Sequence, residues 1–180
     1  MGNFKPYPLK EVYRLIEPGP VVLVTTALKD EKNIMTMSWH TMIDFEPPII
    51  ACVVSNRNHS FNILRKSKEC VINIPTSKIA QEVVGCGNTS GTNKNKFEYF
   101  HLTPTAASTV KAPLIKECYA CLECKVIDSS LATKYNLFFL EVKKAWIRKE
   151  KTKYPATLHH FGRGHFMLPG KIIKIASRMK

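Results

Sequence analysis

The chain has 180 residues, of which 44% are hydrophobic and 23% are charged. These proportions are ordinary for a globular protein, and the length is sufficient for one buried core. Its apolar runs fall short of the roughly 20 residues that a membrane helix needs, so we expect no membrane association. The formal net charge of +13 favours anionic partners, namely nucleic acid, acidic proteins or phosphate-bearing ligands.

The start of the chain and its cysteines indicate a compartment. Residues 1–6, MGNFKP, lack the apolar core of a secretory signal peptide. Without such a signal, the six cysteines indicate reduced intracellular thiols rather than a disulfide framework. We therefore expect a cytoplasmic protein. Because the sequence shows neither a linker nor a repeat, we expect residues 1–180 to form a single domain.

The first half of the chain predicts strands and one short helix. Residues 21–27, VVLVTTA, are rich in β-branched side chains and follow a Pro-Gly-Pro turn. Residues 33–40, NIMTMSWH, alternate polar and apolar side chains, which is typical of a strand with unlike faces. After a Pro-Pro pair, residues 49–54 are apolar at both odd and even positions, which predicts a strand buried on both faces. Ser60 then caps a predicted helix that ends at Lys68.

The second half predicts more strands than helices. A strand over residues 70–74 precedes a helix that starts at residues 76–77 and runs to residue 84, where Gly85 and Gly87 end it. The polar loop over residues 88–95 is long enough to border a site. Residues 113–127, 135–148 and 172–175 predict three further strands. Because few connections are long enough for parallel crossovers, we expect a mainly β, antiparallel barrel with short helices.

The cysteine spacing suggests metal ligands at first sight. Cys118, Cys121 and Cys124 are three residues apart, but residues three apart on a strand face opposite sides. Cys121 would then point away from the other two, so we expect no metal site and interpret these thiols as small buried hydrophobic groups. Cys86, between two glycines, is the best candidate for an exposed thiol.

The densest basic run, residues 143–153, has six Lys or Arg and one Glu. We interpret it as a solvated basic edge. The alternative is a basic β-barrel that binds nucleic acid, but no aromatic RNA-binding motif and no zinc-finger spacing accompanies the charge.

Several motifs, taken in order, carry a family resemblance. They are NIMTMSWH, the Pro47-Pro48 pair, FNILRKS over residues 61–67, VINIP over residues 71–75, and Asn95-Lys96-Phe97. This series resembles the flavin reductase-like family, which includes the flavoredoxins. The resemblance implies a split-barrel fold that binds FMN, usually as a homodimer with the flavins near the subunit interface.

The resemblance also implies a cofactor site. Residues 33–39 would lie beside the isoalloxazine ring, and Phe166 would close over the site from the C-terminal tail. Arg57, Ser60 and Lys96 would face the phosphate, which suits a helix N-terminus and cationic side chains. The implied cofactor-binding residues are Asn33, Thr36, Met37, Ser38, Trp39, Ser55, Asn56, Arg57, Ser60, Lys96 and Phe166. We expect no catalytic side chain in the strict sense, because the flavin carries the chemistry.

One departure from the family pattern leaves two activities open. Many members carry Gly-Asp-His before the penultimate long strand, and that histidine is associated with the nicotinamide side of the flavin. Here residues 134–136 read Lys-Tyr-Asn. The missing imidazole favours a flavoredoxin-like electron carrier with an acidic redox-protein donor over an NAD(P)H:flavin reductase.

Overall fold

A computed structural model describes residues 19–148 and 155–175 of the chain. The expectations for the first six residues, and for the part of the basic run over residues 149–153, lie outside the described residues. Within the described part, no helix is long and apolar enough to cross a membrane.

The described residues form a seven-stranded antiparallel sheet with two short two-stranded ribbons. Its strand order is β2-β1-β5-β8-β9-β4-β3. The strands are β1 (Val22–Leu28), β2 (Glu31–Met37), β3 (His40–Phe45), β4 (Pro48–Val53), β5 (Glu69–Ile74), β6 (Pro104–Thr105), β7 (Leu114–Ile115), β8 (Ala120–Asp128), β9 (Leu137–Ile147), β10 (His159–His160) and β11 (Phe166–Met167). The mainly β, antiparallel expectation is confirmed.

The sheet is buried on both faces at its centre. Along β1, Val22 and Val24 pack into one apolar cluster with Met35, whereas Leu23 packs into a second cluster with Ile34. Successive strand residues point to opposite faces. This double burial explains why residues 21–24 are apolar at both odd and even positions.

Within the described ranges, four short α-helices cover the sheet: α1 (His59–Ser67), α2 (Ala80–Asn88), α3 (Lys96–Tyr99) and α4 (Ala132–Tyr135). A 3-10 turn over Ser77–Ile79 leads into α2. Helix α1 buries Phe61, whose ring meets Phe138 edge-on at 5.5 Å. Its capping position is Asn58, so the expectation that Ser60 caps this helix is wrong. Ser60 instead lies inside the first turn, where its side chain is buried.

Helix α2 contradicts the expectation that its glycines end it. It continues through both glycines to Asn88. A Cβ at Gly85 would lie 2.3 Å from the Phe100 ring, and a Cβ at Gly87 would lie 3.3 Å from Thr36. The glycines are therefore needed for close packing of the helix rather than for its termination.

Other predicted strands differ in their bounds. The segment over residues 33–40 breaks at Ser38 and Trp39, where β2 ends and β3 begins, so the alternation does not continue through one strand. The predicted strand over residues 113–127 divides into β7 and β8, and residues 172–175 form no strand. Those last residues are exposed, and no other described strand pairs with them.

All six cysteines are free and buried, which confirms their interpretation as small hydrophobic groups. Cys118 precedes β8 and packs in the same cluster as Cys121, whereas Cys124 packs in the other cluster. The expectation that Cys118 and Cys124 share a face is therefore wrong. Cys86 is also buried, and burial raises the pKa of its thiol to about 12, so it is not an exposed thiol.

Candidate functional site

Two neighbouring cavities lie where α2 crosses β2. The helix-end cavity, of about 200 Å³, is lined by Asn33, Met35, Thr36, Arg57, Asn58, His59, Cys86, Gly87, Asn88, Thr89, Ser90, Gly91 and Lys96. The hairpin-end cavity, of about 450 Å³, is lined by Val21, Thr36, Ser38, Val83, Val84, Gly87, Asn88, His160, Gly164 and Phe166. Thr36, Gly87 and Asn88 line both, so the two cavities are adjacent and share a wall.

The contact between β2 and α2 sets the middle of this site. The Thr36 hydroxyl donates a hydrogen bond to the Val83 carbonyl oxygen at 2.6 Å. Because Gly87 lacks a side chain, α2 packs close to Thr36. Thr36 therefore anchors α2 to β2 at the wall that the two cavities share.

Lys96 is a buried cation on the wall of the helix-end cavity. Its side-chain nitrogen donates hydrogen bonds of 2.7 Å to the carbonyl oxygens of Ile34 and Cys86. Burial lowers the pKa of Lys96, and no carboxylate within the described ranges forms an ion pair with it. An ammonium group has three donors, so one donor remains beyond the two carbonyls. Buried charges are normally paired, and an anion in this cavity would supply the missing partner.

The N-terminus of α1 opens on the same cavity. Asn58 has an extended backbone, and its side chain makes no capping hydrogen bond. The first turn contains no acidic residue. Its Phe61 N–H donates to the Asn58 carbonyl oxygen at 3.0 Å, which leaves the N–H groups of His59 and Ser60 without an acceptor among the described residues. Arg57, just before the helix, adds a second positive charge to the cavity wall. The donor groups of this cavity therefore suit an anion.

His59 and Gly91 form the outer rim of the helix-end cavity. The His59 ring pairs with the Glu31 carboxylate through Nε2, and its Nδ1 lies 3.3 Å from the Thr92 hydroxyl. Gly91 approaches β2 so closely that a Cβ would lie 2.1 Å from Asn33 Oδ1. The polar loop over residues 88–95 thus borders the cavity.

Asn33 and Ser60 connect β2 to α1 beneath this rim. Asn33 Nδ2 donates a hydrogen bond of 2.8 Å to the Ser60 hydroxyl oxygen, and the Thr26 hydroxyl lies 3.3 Å from the same oxygen. All three side chains are buried. This group holds the first turn of α1 against the sheet.

The β10–β11 hairpin closes the other end of the site. His160 and Phe166 are paired across the hairpin, and their rings lie 5.2 Å apart. Gly162, Arg163 and Gly164 all have positive φ, which produces the tight turn between the strands. The hairpin places an aromatic pair over the wider cavity.

The structure brings together six of the eleven residues implied by the resemblance. Asn33, Thr36, Arg57 and Lys96 line the helix-end cavity, while Ser38 and Phe166 line the hairpin-end cavity along with Thr36. The remaining five do not line either cavity. Met37 is buried in the cluster of Met35, Ser60 is buried behind Asn33, Trp39 is 54% exposed, and Ser55 and Asn56 lie on the loop before α1.

Several residues that line the cavities were not predicted from the sequence. The residues implied by the family resemblance do not include those of α2 that line the cavities, nor His59 and His160. Only the polar loop gave a sequence signal. The predicted end of the helix at residue 84 explains the omission of Cys86, Gly87 and Asn88, because it left residues 85–88 outside the helix that lines the site. The positions of His59 and His160 depend on tertiary contacts instead.

The family is decided by comparison with known proteins. A family model described as "Flavin reductase like domain" matches residues 13–167. The chain belongs to this family. An uncharacterised protein of Archaeoglobus fulgidus, a relative by sequence, is 30% identical over 73% of this chain and 76% of its own length. Metal-binding groups of three or more His, Cys, Asp or Glu do not occur in the described residues.

Solved structures give the same fold. An FMN-binding domain of a flavin reductases-like enzyme from Shewanella baltica matches with a TM-score of 0.82 and 25% identity, over 94% of this chain and 96% of that chain. The flavoredoxin of Desulfovibrio vulgaris matches with a TM-score of 0.80 and 20% identity, over 99% of this chain and 97% of that chain. The split-barrel expectation is confirmed, and family membership does not support the nucleic-acid alternative.

The residues of the site fit a flavin carrying a phosphate group. The two adjacent cavities have volumes of about 450 and 200 Å³ and together lie in the size range of small-molecule sites. Cationic donors gather at one end, around Lys96, while apolar and aromatic side chains gather at the other, around Phe166. A phosphorylated ligand with a planar apolar ring system matches this polarity.

Proposed function

We propose that this chain binds FMN and serves as a flavin-dependent oxidoreductase. The observation that carries the proposal is the buried ammonium group of Lys96, which lines the helix-end cavity and has two carbonyl partners but no described counter-charge. A flavin phosphate would supply that charge. Arg57 and the N–H groups of His59 and Ser60, in the first turn of α1, would share its oxygen atoms.

The ring end of the proposed site lies in the hairpin-end cavity. Ser38 and the neighbouring backbone at the end of β2 would face the polar edge of the isoalloxazine ring, while Phe166 and His160 would cover it. Trp39 follows directly and would flank the ring from the exposed side. For Met37, Ser55 and Asn56 we propose indirect roles, because they position the end of β2 and the loop before α1.

The protein supplies binding and orientation in this proposal. Bound FMN would accept a hydride or single electrons. Of the two activities that the sequence leaves open, we favour the electron carrier. The Asn136 side chain is engaged within its own chain, and residues 134–136 offer no imidazole to a nicotinamide. The net charge of +13 suits an acidic redox partner.

We also propose that the protein is a homodimer built on β3. This strand is the edge of the main sheet, and its apolar side chains Met42, Ile43 and Phe45 are about half exposed or more. Exposed apolar edge strands mark interaction surfaces. Since β3 follows directly after Ser38 and Trp39, a second copy on this strand would lie next to the ring end of the site.

The first test is the colour of the purified protein. We expect flavin absorbance bands, and we expect heat or acid to release FMN rather than FAD. A colourless protein that takes up no added FMN would overturn the proposal.

The second test separates the two activities. Stopped-flow mixing of the FMN-loaded protein with NADH or NADPH should give slow loss of flavin absorbance, whereas a reduced acidic ferredoxin should bleach it rapidly. Rapid bleaching by either nicotinamide would assign the protein as a reductase instead.

A further inference from the structure

Asn136 lies at the end of α4 in a conformation that few residues adopt. Its backbone has φ 60° and ψ 19°, in the left-handed region, and its N–H donates to the Ala132 carbonyl oxygen at 2.9 Å. Asparagine and glycine tolerate this region better than other residues. The residue therefore stops the short helix and turns both of its oxygen acceptors away from it.

Both acceptors hold the loop that joins β4 to α1. The Asn136 backbone oxygen accepts a hydrogen bond from the Val54 N–H at 2.9 Å. Its side-chain Oδ1 accepts a second from the Asn56 N–H at 3.0 Å. Asn56 is 80 residues away from Asn136 in sequence, so the fold rather than local turn chemistry creates this contact.

The loop held in this way carries Arg57. From Asn56 onward the loop is braced internally, since the Arg57 N–H donates to the Ser55 hydroxyl at 3.3 Å and the Asn58 N–H donates to the Ser55 carbonyl oxygen at 2.9 Å. Residues 56–58 are nevertheless exposed. An exposed loop that must order itself when a ligand binds loses affinity, because the ordering costs conformational entropy.

We propose that Asn136 is a positioning residue that presents Arg57 to the phosphate group of the flavin and thereby favours FMN over riboflavin. This inference rests on the proposed FMN site. It assigns a role to the position where many family members carry a histidine. Asn136 does not touch the ligand but acts through the hydrogen bond between Oδ1 and the Asn56 N–H.

The test uses Asn136→Gly, which retains the left-handed backbone and the carbonyl acceptor but removes Oδ1. Affinities of flavin-stripped protein for FMN and for riboflavin are measured by fluorescence titration. We expect FMN binding to weaken roughly tenfold, the loss that corresponds to one hydrogen bond of about 1.4 kcal/mol. Riboflavin binding should change by less than about twofold, because riboflavin has no phosphate for Arg57 to meet. Lys29→Gly, at another left-handed position far along the chain from this loop, is the matched control and should leave both affinities unchanged.

A double-mutant cycle identifies the route of the effect. In an Arg57→Ala background, Asn136→Gly should cost no further FMN affinity if it acts through Arg57. Equal weakening for FMN and riboflavin, or an undiminished effect in the Arg57→Ala background, would overturn the role of Asn136. Wild-type protein that binds neither flavin would instead refute the FMN site itself.

Discussion

Lys96 donates a hydrogen bond of 2.7 Å to the carbonyl oxygen of Cys86, ten residues earlier in the chain. This contact joins the start of α3 to the C-terminal half of α2 and fixes the ammonium group of Lys96, which lines the helix-end cavity. The ammonium group is held in place before a ligand binds, so phosphate binding does not include the entropic cost of ordering a flexible lysine.

We expect Lys96→Met to weaken FMN binding by roughly 10- to 100-fold, because a hydrogen bond to a charged group contributes about 1.5–3 kcal/mol. Fluorescence titration of flavin-stripped protein measures the loss. Lys94→Met is the matched control, since Lys94 is exposed and lies over the Tyr99 ring. Unchanged FMN affinity in Lys96→Met would contradict the anion role of Lys96.

FMN affinity should also fall on the alkaline side in a way that depends on Lys96. Burial lowers the pKa of Lys96 below its ordinary value, so its positive charge is lost as the pH rises through that lowered pKa. The same titrations repeated from neutral to alkaline pH should show a decline in the wild type that is reduced in Lys96→Met. Parallel curves for the two proteins would assign the decline to other groups.

Glu123→Gln should destabilise the fold by about 2–3 kcal/mol, because the buried carboxylate accepts several hydrogen bonds and an amide would direct a donor at donors. Its partners include the Thr109 N–H at 2.6 Å and Trp146 Nε1 at 2.7 Å. Urea unfolding at neutral pH measures the difference. Glu117→Gln, at a half-buried carboxylate with one backbone donor, is the control and should cost far less.

The cost of Glu123→Gln should depend on pH. Burial raises the pKa of Glu123, but the hydrogen bonds from Thr109, Ser108 and Trp146 outweigh it and lower the pKa from 4.5 to about 2. A carboxyl group with a lowered pKa stabilises the fold above its unfolded-state pKa and loses that contribution as the pH falls toward its folded-state pKa. The stability gap between wild type and variant should therefore shrink between about pH 4.5 and pH 2. A constant gap would contradict the ionised state of Glu123.

Gly91→Ala should weaken both the fold and FMN binding. The Cβ of the new alanine would lie 2.1 Å from Asn33 Oδ1, so either the loop or the Asn33 side chain must move. Movement of Asn33 would weaken its hydrogen bond to Ser60. We expect a loss of about 1–3 kcal/mol in stability, typical of overpacking. At Gly170 a Cβ would meet nothing within 4 Å, so Gly170→Ala is the control. Equal behaviour of the two variants in thermal unfolding would show that the loop yields freely.

Phe45→Glu should convert the proposed dimer to monomers. Phe45 is 81% exposed on the edge strand β3, and a charge there would have to be buried in the interface. Sedimentation equilibrium measures the change. Tyr99→Glu alters another exposed aromatic, on α3 rather than on the edge strand, and should leave the dimer intact. A wild-type protein that sediments as a monomer would remove the dimer proposal.

The sequence predicted those strands and motifs that depend on local residue patterns. The β-branched run at residues 21–27 and the apolar run after the Pro-Pro pair both form interior strands of the main sheet, and the ordered motifs identified the family. The glycines of α2 misled because their reason is a close approach to Phe100 and Thr36, which no local pattern reveals. The apolar residues 172–175 misled in the opposite way, since a strand needs a partner and none of the described strands pairs with them.

The candidate site shows the same division. Thr36, Arg57 and Lys96 follow from motifs and line one cavity. The engagement of Ser60 with Asn33, and of Lys96 with Ile34, depends on contacts between residues 27 and 62 positions apart. The site residues, the extent of the single domain over residues 1–180 and the electron donor stay predictions.

The most direct test of the central claim is calorimetric titration of flavin-stripped protein with FMN and with riboflavin. A cavity with a buried cation at one end and an aromatic pair at the other should bind one FMN per chain. It should bind riboflavin at least about tenfold more weakly, since each 1.4 kcal/mol of lost phosphate interaction is a factor of ten. Equal affinity for the two flavins would contradict the phosphate role of the helix-end cavity, and binding of neither would contradict the flavin site altogether.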